Sequence, residues 1–244
     1  MKTIWLITKR ELNSFFDSLI AFIMIILFLG FSGFFTWISG SDIFLIGQAS
    51  LRSFFSIAYW TLFFFIPALT MRLIAEEKKT GTIEMLLTKA VTDRQVILGK
   101  YLATVILICI ALAFTLPYVI TISKIGNLDA GSVLCGYLAL VLMSAAYTSI
   151  GLFTSSFTNN QIVAFLSALF IGLFFHIIFE VIAGGMTGFF GQVINSLSVS
   201  VHFESLSRGV VDSKDIVYFG SIVFLGLFLT EVSLSKRNAY NQSN

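Results

Sequence analysis

The sequence predicts an all-α membrane protein, and three observations support that fold class. Of its 244 residues, 57% are hydrophobic and 11% are charged, whereas roughly 25% of a soluble domain is charged. The mean hydropathy is +0.94. The apolar residues form six runs, each close to the ~20 residues that cross a bilayer core, and a backbone inside lipid satisfies its hydrogen bonds as a helix. We therefore expect one transmembrane domain over 1–244, with spans at approximately 18–38, 54–74, 97–122, 132–153, 162–183 and 216–234.

The first element is an amphipathic segment that precedes span one. On a helix, its basic residues lie on one part of the surface and its apolar residues on another. The pattern predicts a helix in the inner membrane interface, with Trp5 at headgroup level. Such a helix serves either as a plain anchor or as a lever that links events outside the bilayer to span one. The apolar face comprises Ile4, Trp5, Leu12, Phe15 and Phe16, together with Thr8.

Between spans two and three lies a charged segment at 76–88, which we call the island. It opens with Glu76, Glu77, Lys78 and Lys79. Unpaired charges are costly in hydrocarbon, so the island is expected to lie in water.

A short helix is predicted in the island after Gly81. Thr82 can serve as its N-cap, and Glu84 lies in its first turn, where the helix dipole favours a carboxylate. Its small apolar face can lie on the membrane, pack under the spans or fill a groove on a partner protein. That face comprises Ile83, Leu86, Leu87 and Ala90, at helical spacing.

The later spans carry recognisable start signals and two prolines. The stretch from Thr92 to Gln95 fits a capping box that opens span three, and Asp212 can cap span six. Pro67 and Pro117 lie within spans two and three, where membrane helices tolerate kinks.

The segment between spans five and six is rich in glycine and poor in charge at 184–201. It is too short to cross twice, so a re-entrant or interfacial hairpin is expected there. Just before it, His176 and Glu180 stand one helical turn apart. They either meet substrate or protons, or form a local i,i+4 hydrogen bond, which we favour.

Lysine and arginine set the orientation of the spans. With both termini inside, eleven of the fifteen Lys and Arg residues lie on the inner side, in accord with the positive-inside rule. We therefore expect a multi-pass protein with both termini and the island in the cytoplasm. The absence of a small-residue cleavage site before span one predicts that no signal peptide is cleaved.

Several functions are disfavoured by the residues. The 244 residues contain no Gly-x-x-x-x-Gly-Lys-Ser/Thr loop, so ATP hydrolysis by that route requires a separate protein. The spans carry no paired carboxylates for acid–base work, and no Cys/His cluster suggests a metal site. Cys109 and Cys135 are expected to be free thiols. The residues thus predict no catalytic, cofactor or metal site in this chain.

Several stretches of the chain resemble permeases of ABC-2-type transporters. The residues 72–88, followed by 98–100, are similar to the loop that carries the coupling helix in that family. The stretch 146–164 resembles the family's junction of spans four and five, and 202–218 resembles its entry into span six. The resemblance covers nearly the whole chain. It implies a half-transporter of six helices that pairs with itself or with a second, similar permease.

The resemblance also implies a partner and its contact residues. ABC ATPase subunits, which hold ATP and Mg²⁺, would dock on the coupling helices at the cytoplasmic face of a bacterial inner membrane, and no nucleic acid is involved. The implied ATPase-coupling residues are Glu77, Lys78, Gly81, Thr82, Ile83, Glu84, Leu86 and Leu87. The implied second cytoplasmic contact comprises Ser156, Asn159, Asn160 and Gln161.

Within the family, the stretches 127–132 and 202–218 most resemble the gliding-motility-associated permeases of Bacteroidetes. One departure is that Lys89, Ala90 and Val91 follow the Leu-Leu-Thr segment where many relatives have proline, which leaves the end of the coupling helix undefined. The resemblance implies an exporter for gliding motility. The alternatives are an ABC-2 permease for a lipid, polysaccharide or drug, or a membrane scaffold without transport.

Overall fold

The structure is a computed structural model that describes residues 2–38, 50–82 and 91–242, with side chains described up to residue 235. In these ranges the regular secondary structure is helical and contains no strand. Six helices are long and apolar enough to cross a membrane, which confirms the predicted fold class. We number them as spans one to six: Ile20–Trp37, Arg52–Thr80, Asp93–Ile125, Ala130–Phe157, Gln161–Gly184 and Ser213–Ser235.

Individual helices subdivide some of the spans. Span two consists of α3 and α4, span three of α5 and α6, and span five of α8, a π-helical turn at Phe174–Ile178 and α9. The helices are α1 Lys2–Asp17, α2 Ile20–Trp37, α3 Arg52–Thr70, α4 Ala75–Thr80, α5 Asp93–Ala113, α6 Leu116–Ile125, α7 Ala130–Phe157, α8 Gln161–Leu173, α9 Phe179–Gly184, α10 Phe189–Asn195, α11 Val199–Ser207 and α12 Ser213–Gln242.

Span four forms the centre of the bundle and packs against spans two, three, five and six. Of its most apolar window, 61% is buried, compared with 22% for spans five and six. Small residues allow the close approach: a Cβ on Gly226 of span six would lie 2.6 Å from the hydroxyl of Ser149. Spans five and six therefore retain broad apolar surfaces for lipid or for a second membrane subunit.

The predicted helix starts are confirmed. The Thr92 hydroxyl accepts a hydrogen bond from the Gln95 amide at 3.4 Å, and the Gln95 side chain accepts one from the Thr92 amide. Asp212 accepts a hydrogen bond from the backbone N–H of Lys214 at 3.2 Å, which caps span six. Both contacts satisfy backbone donors that a helix start leaves without a partner.

The two prolines differ in position. Pro67 lies inside α3 as predicted. Pro117, however, lies in the first turn of α6, because α5 ends at Ala113. A first-turn proline lacks only an N–H that has no intrahelical partner there, so Pro117 is compatible with the start of α6 within span three.

The residues of the predicted apolar face of α1 divide between the protein interior and the surface. Thr8 and Phe15 are buried, whereas Trp5 is 61% exposed and Leu6 is 66% exposed. Ile7, Thr8 and Phe15 are buried, and Ile4 and Glu11, which share a helical stripe with Thr8 and Phe15, are partly buried. The protein selects this stripe because α1 packs against span three, which leaves Trp5 on the outer face.

The segment between spans five and six forms two short helices at the far end of the bundle. Helix α11 is inserted among the spans, with Val199, Phe203 and Leu206 buried, whereas Phe189 and Phe190 of α10 are 74% and 75% exposed. The hairpin is fastened to span six: His202 Nδ1 lies 2.6 Å from Asp215, and the Tyr218 hydroxyl donates to the Leu197 carbonyl at 2.6 Å.

Candidate functional site

The structure describes four of the eight residues predicted to couple to an ATPase. Glu77 and Lys78 lie on α4, and Gly81 ends that helix in the left-handed region at φ +72°. Glycine adopts this conformation without the steric cost that a side chain would impose, which explains the break before the rest of the island. Thr82 places its hydroxyl 2.9 Å from that of Thr80. Ile83, Glu84, Leu86 and Leu87, as well as Ala90, lie outside the described residues.

A cluster of four charged residues, which we call the ionic joint, connects α4 to α1 and span three. Its centre is Lys100, whose side chain is 1% exposed and donates to Glu77 at 2.7 Å. The same ammonium lies 3.2 Å from Glu11 of α1. Arg10 borders the cluster, 2.5 Å from Glu11 and 4.0 Å from Glu77. One buried cation thus holds carboxylates from two other elements.

The joint changes the titration of Glu11. Burial by itself would raise the pKa of this carboxyl, but the charges and hydrogen bonds of Lys100 and Arg10 outweigh it, and the pKa lies below its ordinary value. The stabilisation is fully present above the ordinary carboxyl pKa and is lost as the pH falls from there through the lower pKa of the folded protein. The joint is therefore intact at neutral pH.

Helix α1 is also held to span three by direct packing at Gly99. The Thr8 hydroxyl donates to the Gly99 carbonyl at 3.2 Å. A Cβ on Gly99 would lie 2.5 Å from the Cγ2 atom of Ile7 and 3.4 Å from the Ile4 carbonyl. The absence of a side chain at this position allows the two helices to touch.

Replacement of Gly99 by valine is expected to push α1 away from span three and to destabilise the protein by about 1–3 kcal/mol, the usual cost of overpacking. The midpoint of thermal unfolding in detergent would measure this loss. Gly30→Val is the matched control, because a Cβ on Gly30 meets nothing within 4 Å. Equal midpoints for the two variants would contradict the close packing of α1.

A second connection, the Ser155 clamp, fixes the turn between α3 and α4. The Ser155 hydroxyl accepts hydrogen bonds from the amides of Ile74 and Ala75 at 3.1 and 3.0 Å and donates to the Met71 carbonyl at 3.0 Å. Ser155 is fully buried at the end of span four. The clamp supplies partners that a helix break would otherwise leave unsatisfied, so span four sets the geometry of this turn.

The neighbouring Ser156 extends this connection to span six. Its carbonyl accepts a hydrogen bond from the Lys78 ammonium and another from the Ser233 hydroxyl at 3.1 Å. The start of the island is therefore in contact with span four, α1 and span three, and it is linked to span six through Ser156.

The remaining residues of the predicted second contact have separate positions. Asn160 accepts a hydrogen bond from the Ile162 amide at 2.9 Å and so caps span five. Asn159 is exposed and Gln161 partly exposed. Of these four residues, the structure shows Ser156 in direct contact with the described part of the island, through Lys78.

At the far end, the predicted hydrogen bond between His176 and Glu180 is wrong. His176 Nδ1 pairs with the Tyr147 hydroxyl at 2.8 Å, and its ring stacks between Tyr59 and Phe63. Glu180 instead accepts a hydrogen bond from Ser200. The π-helical turn at Phe174–Ile178 changes the i,i+4 register on which the prediction depended.

His176 and Glu180 both line a cavity of about 1000 Å³ at this end. Its wall combines aromatic rings, five serines and both signs of charge. Two arginines and two glutamates balance each other in the lining. The cavity has an amphipathic lining without a charge excess; the charged residues are Arg52, Glu180, Glu204 and Arg208.

Three residues of the ionic joint and the Ser155 clamp were not predicted from the sequence: Glu11, Lys100 and Ser155. A usable signal existed for Lys100, because it falls inside the predicted span 97–122, and an ionisable residue within a span is a functional candidate. Glu11 and Ser155 gave no comparable signal, since each is unremarkable until its distant partner is known.

The family of the chain follows from comparison with known proteins. A profile described as ABC-2 family transporter protein matches residues 41–216, more than two thirds of the chain. The matched region contains the island, Lys100 and Ser155. No curated protein matches the chain. Together with the six candidate spans, the match shows that this chain belongs to the ABC-2 transporter family and is a multi-pass permease subunit of an ABC transporter.

Proposed function

We propose that the chain is the permease of an exporter in a bacterial inner membrane, and that a separate ATPase drives it through the island. The observation that carries the proposal is the attachment of α4 at two places. The ionic joint connects Glu77 to α1 and span three, and the Ser155 clamp connects the same segment to span four. A force applied to the island would therefore reach several spans together.

The proposed mechanism starts with the ATPase, which holds ATP and Mg²⁺ and closes on nucleotide binding. The island helix, with Leu86 and Leu87 on its apolar face, would follow that movement. Because Glu77 is paired with Lys100, a displacement of α4 acts on span three and, through Glu11, on α1. The hydrogen bonds of Lys78 and Ser233 to Ser156 pass the movement to spans four and six.

The proposal includes a second permease half, either identical or different. Spans five and six supply the surfaces for it, because only 22% of the apolar window of each is buried in this chain. The transported substrate is proposed to belong to gliding motility, which the stretches 127–132 and 202–218 favour. A lipid, polysaccharide or drug is the alternative substrate, and a scaffold without transport is the alternative class.

Purification of the tagged chain from its native membrane tests the proposal. We expect an ABC ATPase and a second permease half to be recovered with it, and ATP hydrolysis to depend on the complex. Mass spectrometry would identify both partners. Recovery of the intact chain without any nucleotide-binding protein would favour the scaffold alternative and overturn the proposal.

The proposed orientation makes a separate prediction. In a background without Cys109 and Cys135, a cysteine at exposed Lys79 should react with an impermeant thiol reagent only when the cytoplasmic face is open. A cysteine at Lys124, which is exposed at the opposite end of the bundle, should react in intact cells or spheroplasts. The reverse labelling pattern would contradict the orientation.

A further inference from the structure

Helix α1 has one buried face and one exposed face. One face, with Ile7, Thr8 and Phe15, is buried against the protein. The other is exposed and carries Lys2, Trp5, Leu6 and Lys9, which fall within an arc of about 100° at 3.6 residues per turn. Packing within the bundle explains the buried face of α1 but not the composition of its exposed face.

Helix α1 lies next to the point where the chain enters span one. Helix α1 ends at Asp17 and span one begins at Ile20, so only a two-residue turn separates α1 from the bilayer. Trp5 and Leu6 are 61% and 66% exposed, and such side chains are stabilised at the level of the headgroups and upper acyl chains. An exposed face of this composition, close in sequence to the start of span one, suits the membrane interface.

The charge on this face selects among lipids. Lys2 and Lys9 lie about 10 Å apart along the helix, one on each side of the apolar pair. Glu11 points inward to Lys100 at 3.2 Å, and Asp17 lies at the other end of α1. Arg10 is engaged by Glu11 at 2.5 Å, so the two lysines supply the positive charge of this face. Ammonium groups attract a phosphate and repel the choline of a zwitterionic headgroup.

We propose that Lys2, Trp5, Leu6 and Lys9 form a binding site for an acidic phospholipid, with the lysines at the headgroup and Trp5 and Leu6 against the upper acyl chains. The site is independent of any ATPase. It explains why an apolar pair is exposed between two lysines on α1. The other face of this helix packs against span three.

Quenching of Trp5 by brominated lipid tests the site in the full chain. A version with Trp37→Phe and Trp60→Phe leaves Trp5 as the fluorophore and is reconstituted into phosphatidylcholine vesicles with a minor fraction of phosphatidylglycerol. Bromine is placed on the phosphatidylglycerol in one preparation and on an equal amount of phosphatidylcholine in the other. We expect stronger quenching from the brominated phosphatidylglycerol, and Lys2→Gln with Lys9→Gln should remove the difference.

The size and the controls of the effect follow from surface electrostatics. Each lysine near an anionic surface favours it by about fivefold, so enrichment at Trp5 should fall by at least that factor in the double variant and also at high salt. Lys124→Gln, at the far end, should keep the preference. Equal quenching by the two lipids in the parent chain, or an unchanged preference in the double variant, would overturn the site without bearing on ATPase docking.

Discussion

Replacement of Lys100 by methionine is expected to cause the largest loss of stability, about 3–5 kcal/mol, because it removes the buried cation that pairs with two poorly exposed carboxylates. Glu11 and Glu77 have side chains that are only 12% and 19% exposed. The loss would appear as a lower midpoint of thermal unfolding for the purified chain. Methionine keeps most of the length of the lysine stem, so the change removes charge more than volume.

Two controls separate the ionic joint from surface charge in general. Arg72→Gln removes a partly exposed i,i+4 pair with Glu76 and should cost less than about 1 kcal/mol. The triple change Lys100→Met, Glu11→Gln and Glu77→Gln removes the stranded charges and should recover much of the stability, because neutral replacements of buried ion pairs are often tolerated. A wild-type midpoint for Lys100→Met would show that the joint is not formed.

The triple variant also separates stability from coupling. If the joint transmits movement, this variant should fold and still bind the ATPase, but its transport should be reduced relative to the ATP hydrolysed. Transport per ATP equal to that of the wild type would restrict the joint to a structural role.

Replacement of Leu87 by aspartate is expected to cause the largest loss of partner binding. The predicted apolar face of the island helix has Leu86 and Leu87 at its centre, and a carboxylate buried against a partner groove is costly unless it is paired. Recovery of the ATPase with the purified permease should fall on the order of tenfold or more, while insertion into the membrane is unchanged.

The matched control for Leu87→Asp is Thr88→Asp, which adds the same charge at the next residue on the opposite side of the predicted helix. This variant should retain the ATPase. Equal recovery of the ATPase with Leu87→Asp and with the wild type would remove the island helix from the docking surface.

Local signals in the sequence were sufficient for much of the fold. The number of spans follows from apolar length, and the Thr92 and Asp212 caps follow from residues a few positions apart. These features depend on contacts between residues that are close in the sequence, and sequence patterns predict such contacts. The break after α4 at Gly81 belongs to the same class.

Features that depend on distant partners were missed or wrong. Periodicity placed Trp5 on the apolar face of α1 but did not say which edge of that face meets span three. The pairing of His176 with Tyr147 depends on the π-helical turn, which no residue pattern predicted. Lys100 was visible as a charge in a span, but its two carboxylate partners come from α1 and α4 and are defined only by the packing of those helices.

The island is proposed to bind the ATPase and not to rest on the bilayer. A photo-crosslinking amino acid at Leu87, activated in native membranes, distinguishes the two most directly, with the same group at Thr88 as the control. We expect a covalent adduct between position 87 and an ABC ATPase, and a much lower yield of that adduct from position 88. Adducts to lipid alone at position 87 would contradict it.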